Sequence, residues 1–192
     1  MSFGEFETFL TKGRPPLKNK TRGEKMKKQK NNNATRYIVR GALIAAIYAT
    51  LSYVSAPLQF LFFQFRISEA LCILPIFIPE AVPGLFIGCI VANYLSGCVV
   101  WDILFGSLAT LIGAIGARLL SKLPKKLMFL STLPTVFSNA IIVPFVIMYA
   151  YGSSDSYMFL FITVLVGELV TATVMGTLLY YQMDKYNLNF NL

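Results

Sequence analysis

Several apolar runs in this 192-residue chain are long enough to cross a lipid bilayer, and that narrows the possible folds sharply. A spanning helix needs roughly 20 predominantly apolar residues. Inside hydrocarbon every backbone N–H and C=O must be paired within the structure, so only helices and closed barrels cross it. A barrel requires polar and apolar side chains to alternate along each strand, and this sequence does not alternate. Only 14% of the residues are charged, against about a quarter in soluble domains. The sequence therefore predicts an all-α, polytopic membrane protein.

Six crossings are expected, over about 37–56, 68–78, 83–97, 103–120, 127–150 and 158–182. The second is short for a full crossing and needs tilt or help from its flanks. The segment Pro79-Glu80-Ala81-Val82-Pro83-Gly84 reads as a tight turn, because proline lacks an amide hydrogen and its predecessor avoids helical angles. Small residues recur every four at Gly41, Ala45 and Ala49, with Ala42 and Ala46 beside them. They recur again at Gly84, Gly88 and Ala92, and at Ala109, Gly113 and Ala117, and such stripes let helices approach closely. Pro144 frees the carbonyl of Ala140, one residue after Asn139. Lysine and arginine set the orientation. With six crossings the basic arm, the Lys122–Lys126 loop and Lys185 share one side, which places both termini in the cytosol. The expected organisation is a basic disordered arm over 1–36, a membrane domain over 37–183 and a short cytosolic tail over 184–192.

The net charge of +8 comes mainly from the arm, which holds ten of the seventeen Lys and Arg. It has no apolar stretch of the signal-peptide kind. A solvated, topology-fixing arm, an arm drawn to anionic lipid and a nucleic-acid arm are the three readings, in that order. The three cysteines, 72, 89 and 98, fall in or beside apolar segments and read as small packing residues rather than a disulfide framework. Histidine is absent, which removes His-based metal sites and Ser-His or Cys-His catalysis. No Gly-rich phosphate loop is present, so any active transport draws its energy from a partner or an ion gradient. No cofactor is expected.

Charges at membrane depth are costly unless paired or wetted, so each marks a candidate functional position. Arg66, Glu69, Asp102, Asp155 and Glu168 fall in the outer half, one cation against four acids. Glu168 lies eleven positions into its helix from Tyr157, roughly 16 Å deep, and Asn139 sits at a similar depth in the preceding span. A structural pairing of Arg66 with Glu168 or Glu69 competes with a site awaiting a donor-rich ligand, cationic or neutral. A carboxylate beside amides suits a purine-like edge, since it accepts two parallel hydrogen bonds from a ring N–H and its neighbouring amino group. Phe63, Phe65, Tyr94 and Trp101 could stack on a flat ring, or serve as interface anchors.

Four contiguous motifs carry a resemblance: Gln64-Phe65-Arg66-Ile67-Ser68-Glu69-Ala70-Leu71, Pro83-Gly84-Leu85-Phe86-Ile87-Gly88-Cys89, Asp102 to Thr110, and Val166-Gly167-Glu168. Over about 37–182 the chain resembles the QueT family, the substrate-binding S components of energy-coupling-factor (ECF) transporters. The resemblance implies six helices, cytosolic termini and a multi-pass location in the cell membrane. It implies a queuosine-precursor substrate, a 7-deazaguanine such as preQ1 or preQ0, or queuine. The implied partners are a transmembrane coupling subunit and two cytosolic ATPases. Ala42-xxx-Ala46 and Ala45-xxx-Ala49 match the alanine motif that contacts the coupling subunit in ECF systems. The Phe-rich stretch before Arg66 corresponds to the loop that gates the site. On this reading Glu168 and Asn139 read the guanine edge, Arg66 and Glu69 close the outer side, and Asn93 and Gln64 add amide contacts. The alternatives are an S component for another compound such as a vitamin, a membrane-embedded enzyme using Glu69 and Glu168, and a channel-like or structural protein.

Overall fold

The computed structural model describes residues 22–59 and 65–186. The chain divides into two compact units, Met1–Arg36 and Tyr37–Leu192, and the second is the membrane domain. In chain order the elements are α1 (Arg22–Val54), the short α2 (Ala56–Gln59), a 3₁₀ helix (Ile67–Ile76), α3 (Ala81–Leu95) and α4 (Val100–Leu119). Two 3₁₀ segments (Leu120–Lys122 and Lys125–Thr132) lead into α5 (Leu133–Ala150). The chain closes with α6 (Tyr157–Glu168), a π-helical stretch (Leu169–Met175) and α7 (Gly176–Lys185). Helical backbone begins at Arg22, so part of the arm expected to be disordered is helical. Extending a helix already formed in the apolar run gains one hydrogen bond per residue fixed and needs no new nucleus. Residues 1–21 lie outside the described residues, as do Phe60, Phe62, Phe63 and Gln64 of the Phe-rich stretch.

Four stretches are long and apolar enough to cross a bilayer: Asn33–Val54, Val100–Lys122, Lys125–Ala150 and Tyr157–Lys185. Ile67–Ile76 and Ala81–Leu95 are shorter apolar helices. Side-chain contacts nonetheless run both short elements between the same two ends of the bundle. At one end Arg40 pairs with Glu80 at 3.7 Å, and Arg118 donates to the carbonyls of Pro75 and Ile76 at 3.1 and 3.2 Å. Lys125 pairs there with Asp184 at 2.8 Å. At the other end Arg66 binds the Asn93 amide oxygen. Asn93 donates to the Asp102 carbonyl at 3.3 Å, and the Tyr151 hydroxyl donates to the Asp102 carboxylate at 2.9 Å. The 3₁₀ rise helps here, since ten residues extend roughly 20 Å in this form, against roughly 15 Å as an α-helix.

The turn expected over 79–84 is shorter than the sequence indicated, because α3 already begins at Ala81 with Pro83 in its first turn. The first N–H groups of a helix have no intrahelical acceptor, so proline is tolerated there. Gly97 and Gly152 take the positive φ values of the true turns, 71° and 68°, angles that favour glycine.

Helix α3 packs on α1 at very close range. A Cβ on Gly84 would sit 2.7 Å from the Gly41 carbonyl, and one on Gly88 would sit 2.9 Å from both the Ala45 carbonyl and Tyr48 Cβ. The small-residue stripe of α3 thus meets Gly41 and Ala45 of α1. Around this crossing Ile44, Tyr48, Ala49, Leu85, Cys89 and Ala114 form a buried cluster together with Cys72 of the 3₁₀ helix. A second cluster, Ile73, Met128 and Tyr180, packs the other side of that 3₁₀ helix. The 3₁₀ helix also contacts α4 and the π-helical stretch. It is the inner element against which the surrounding helices lie.

Candidate functional site

Charged side chains on this inner element have to be served by its neighbours. Glu69 is fully buried. Its Oε1 accepts from the Tyr48 hydroxyl of α1, and its Oε2 accepts from the Cys72 thiol at 3.0 Å. Residues three apart eclipse on a 3₁₀ helix, which brings Cys72 onto Glu69. One residue earlier, Ser68 and Ser52 of α1 share a hydrogen bond of 2.5 Å. Both oxygens of Glu69 are therefore occupied by neutral donors.

Arg66 caps the start of the 3₁₀ helix and gives its guanidinium to the Asn93 side chain. Neither expected ion pair, Arg66–Glu69 or Arg66–Glu168, forms among the described residues. Gly106 lies beside the Arg66–Asn93 contact. A Cβ there would lie 3.1 Å from Asn93 Nδ2 and 3.2 Å from Asp102 Oδ1. Arg66 Nε is buried and has no hydrogen-bond partner among the described residues.

Across from the 3₁₀ helix, Asn139 of α5 donates its Nδ2 to Glu168 Oε1 of α6 at 3.0 Å, with both residues buried. The π-helical stretch opens at Leu169, directly after Glu168. Such turns interrupt the regular hydrogen-bond ladder and occur often at functional sites. Glu168 Oε2 and Asn139 Oδ1 have no partner among the described residues. The cluster thus presents two open acceptors and one open donor in a buried setting. Each such atom left unpaired costs about 1–3 kcal/mol, which a ligand of complementary chemistry recovers.

The structure therefore brings together Glu168 and Asn139 by a hydrogen bond, joins Arg66 to Asn93, and joins Glu69 to Tyr48 and Cys72. Gln64 lies outside the described residues. Tyr94 and Trp101 are mostly exposed, as interface anchors are. Trp101 stacks on Phe105 with ring centroids 6.0 Å apart. Both line an apolar cavity of about 430 Å³ with Phe145 and Tyr149, which lacks the acids needed to read a polar ligand. Of the alanine pairs, Ala42 and Ala46 are exposed on α1, whereas Ala45 and Ala49 are buried. Tyr48, Cys72 and Gly106 were not anticipated from sequence. The spacing of Cys72 from Glu69 was a usable signal, but Tyr48 and Gly106 depend on tertiary packing. Outside the spans, burial and then the nearby Asp102 carboxylate push both the Cys98 thiol and the Tyr151 hydroxyl above their ordinary pKa values. Among the described residues, no group of three or more His, Cys, Asp or Glu is arranged to hold a metal ion.

Residues 38–185 match a family described as QueT transporter. No curated protein and no solved structure matches the chain.

Proposed function

The chain belongs to the QueT transporter family, and from that premise we propose that the Glu168–Asn139–Arg66 cluster is its substrate site. The protein is a multi-pass membrane transport protein and not an enzyme. It serves as the substrate-binding S component of an ECF-type importer for a queuosine precursor, a 7-deazaguanine such as preQ1 or preQ0, or queuine. The observation that carries the site assignment is that three of the six buried side-chain atoms without partners among the described residues are Glu168 Oε2, Asn139 Oδ1 and Arg66 Nε. A guanine-type ring offers adjacent N–H donors beside a carbonyl oxygen, which is the complement of two acceptors and a donor. Asn93 holds Arg66 in place, Glu69 closes the outer side with Arg66, and Gln64 supplies a further amide.

Six crossings with both termini in the cytosol complete the proposal. The ion pairs of Arg40 and Lys125 and the hydrogen bonds of Arg118 to backbone carbonyls, all at one end, support it, as does the excess of Lys and Arg expected on the cytosolic side. A transmembrane coupling subunit docks on α1, and two cytosolic ATPases supply the energy. Ala42 and Ala46 are the available contact for the coupling subunit, since they are exposed while Ala45 and Ala49 are already covered.

The test is a binding titration of the purified chain against the aminomethyl and cyano deazaguanines, queuine and guanine. Stoichiometric binding of a deazaguanine with no turnover is expected. Guanine bound as tightly as every deazaguanine contradicts the queuosine assignment.

A further inference from the structure

The basic arm is a strongly charged region to which the transport reading gives no role. From residue 12 to residue 36 it carries ten Lys and Arg against a single acid, Glu24. Helical backbone runs without a break from Arg22 to Val54, and the part of that helix apolar enough to lie in hydrocarbon begins at Asn33. Arg22, Lys25, Lys27, Lys28 and Lys30 therefore occupy the turns that immediately precede the first crossing.

Helix geometry sets how far each of them stands from the hydrocarbon. Measured along the axis from Asn33, Lys30 lies roughly 5 Å away, Lys25 roughly 12 Å and Arg22 roughly 17 Å. Tilt of the helix only brings them closer to the surface. The polar headgroup layer on each side of a bilayer is roughly 5–8 Å thick. Charge beyond that layer is still felt over a Debye length of about 8 Å at physiological salt. Lys30, Lys28, Lys27 and Lys25 thus all fall within reach of the headgroups.

Their angular spread points to the kind of partner. With Arg22 taken as the origin, Lys30, Lys27, Lys28 and Lys25 stand at roughly 80°, 140°, 240° and 300° around the helix. Every side of this turn and a half carries a cation. A nucleic-acid groove lies along one side of a helix and is matched by cations clustered on one face. A helix passing through the headgroup layer is ringed by headgroups, so a cation on any side finds an anion. An anionic lipid surface is the partner that uses the whole ring.

We propose that the basic extension of α1 is a binding site for anionic phospholipid headgroups and anchors that end of the helix in the leaflet that carries them. Each Lys or Arg close to such a surface contributes roughly fivefold in association. The site stands apart from the substrate cluster, so its failure leaves the substrate assignment untouched.

The experiment measures the association of spin-labelled phosphatidylglycerol relative to spin-labelled phosphatidylcholine with the full chain in phosphatidylcholine bilayers. The wild-type chain is expected to prefer phosphatidylglycerol about fivefold or more and to lose the preference as salt is raised. Replacing Lys25, Lys27, Lys28 and Lys30 together by Gln is expected to bring the ratio near one, and replacing the same four by Arg is expected to keep it. The double variant Lys27→Gln/Lys28→Gln is expected to fall between, and it decides the matter if the fourfold Gln variant does not reconstitute. A wild-type ratio near one overturns the proposal and leaves the arm a solvated, topology-fixing tail. A preference that survives both Gln variants also overturns it, because the headgroups are then held elsewhere. An oligonucleotide that binds the wild-type chain and not the Gln variants, with no lipid preference, overturns it in favour of nucleic acid.

Discussion

Tyr48 is the residue on which the shape of the candidate site turns. It is fully buried in α1, and its hydroxyl holds Glu69 on the inner 3₁₀ helix. Replacing it with phenylalanine keeps the ring in the α1–α3 crossing and removes only the donor. A buried carboxylate oxygen left without its partner costs about 1–3 kcal/mol. Tyr48→Phe is therefore expected to lower the midpoint of thermal unfolding in detergent and to weaken ligand binding through the loosened Glu69. An unchanged midpoint and affinity would show that the hydroxyl is dispensable. Residue-level reading from sequence did well where depth alone was informative. Glu168 and Asn139 were both placed deep in adjacent spans, and they meet at 3.0 Å. It could not foresee that the Arg66 guanidinium binds Asn93, because that contact joins the start of the 3₁₀ helix to the end of α3 and depends on tertiary packing.

At the level of elements, the α1–α3 crossing is packed closely enough to admit no side chain at its glycines. Gly88 meets the Ala45 carbonyl and Tyr48 Cβ at 2.9 Å from where a Cβ would stand. Gly88→Val forces the two helices apart, and overpacking of this kind costs about 1–3 kcal/mol. It should also displace Tyr48 from Glu69, so stability and ligand affinity are expected to fall together; thermal unfolding with and without ligand reads both. The long apolar runs made the long helices legible. A short apolar helix stands at Ile67–Ile76, close to the expected 68–78, but its 3₁₀ form was not legible. Continuous burial leaves no periodicity to separate one helix type from another. The two alanine pairs of α1 were equally indistinguishable, since stripes one residue apart differ by about 100° of rotation. Only the position of α3 decides which stripe is covered.

For the whole molecule, the central structural proposal is six crossings with the Arg66–Asp102 end outside. Cys98 lies in the turn between α3 and α4 at that end and is only partly buried, whereas Cys72 and Cys89 are fully buried. A membrane-impermeant maleimide added to intact cells should label Cys98 and spare the other two. Burial and Asp102 disfavour its thiolate, and the thiolate is the reactive form. Labelling is therefore expected to be slow at neutral pH and to accelerate as pH rises. Labelling that requires permeabilised cells would invert the topology. The proposed orientation follows from the lysine and arginine gathered at one end, while the route of the short elements between the two ends required their side-chain contacts.

The most direct test of the site is ligand affinity in Arg66→Ala and Glu168→Ala, measured by calorimetry on purified protein with the aminomethyl deazaguanine. Each removes a group with an open, buried polar atom, so each is expected to weaken binding by about tenfold or more. Affinity equal to the wild-type value in both variants would contradict the proposal that this cluster holds the substrate.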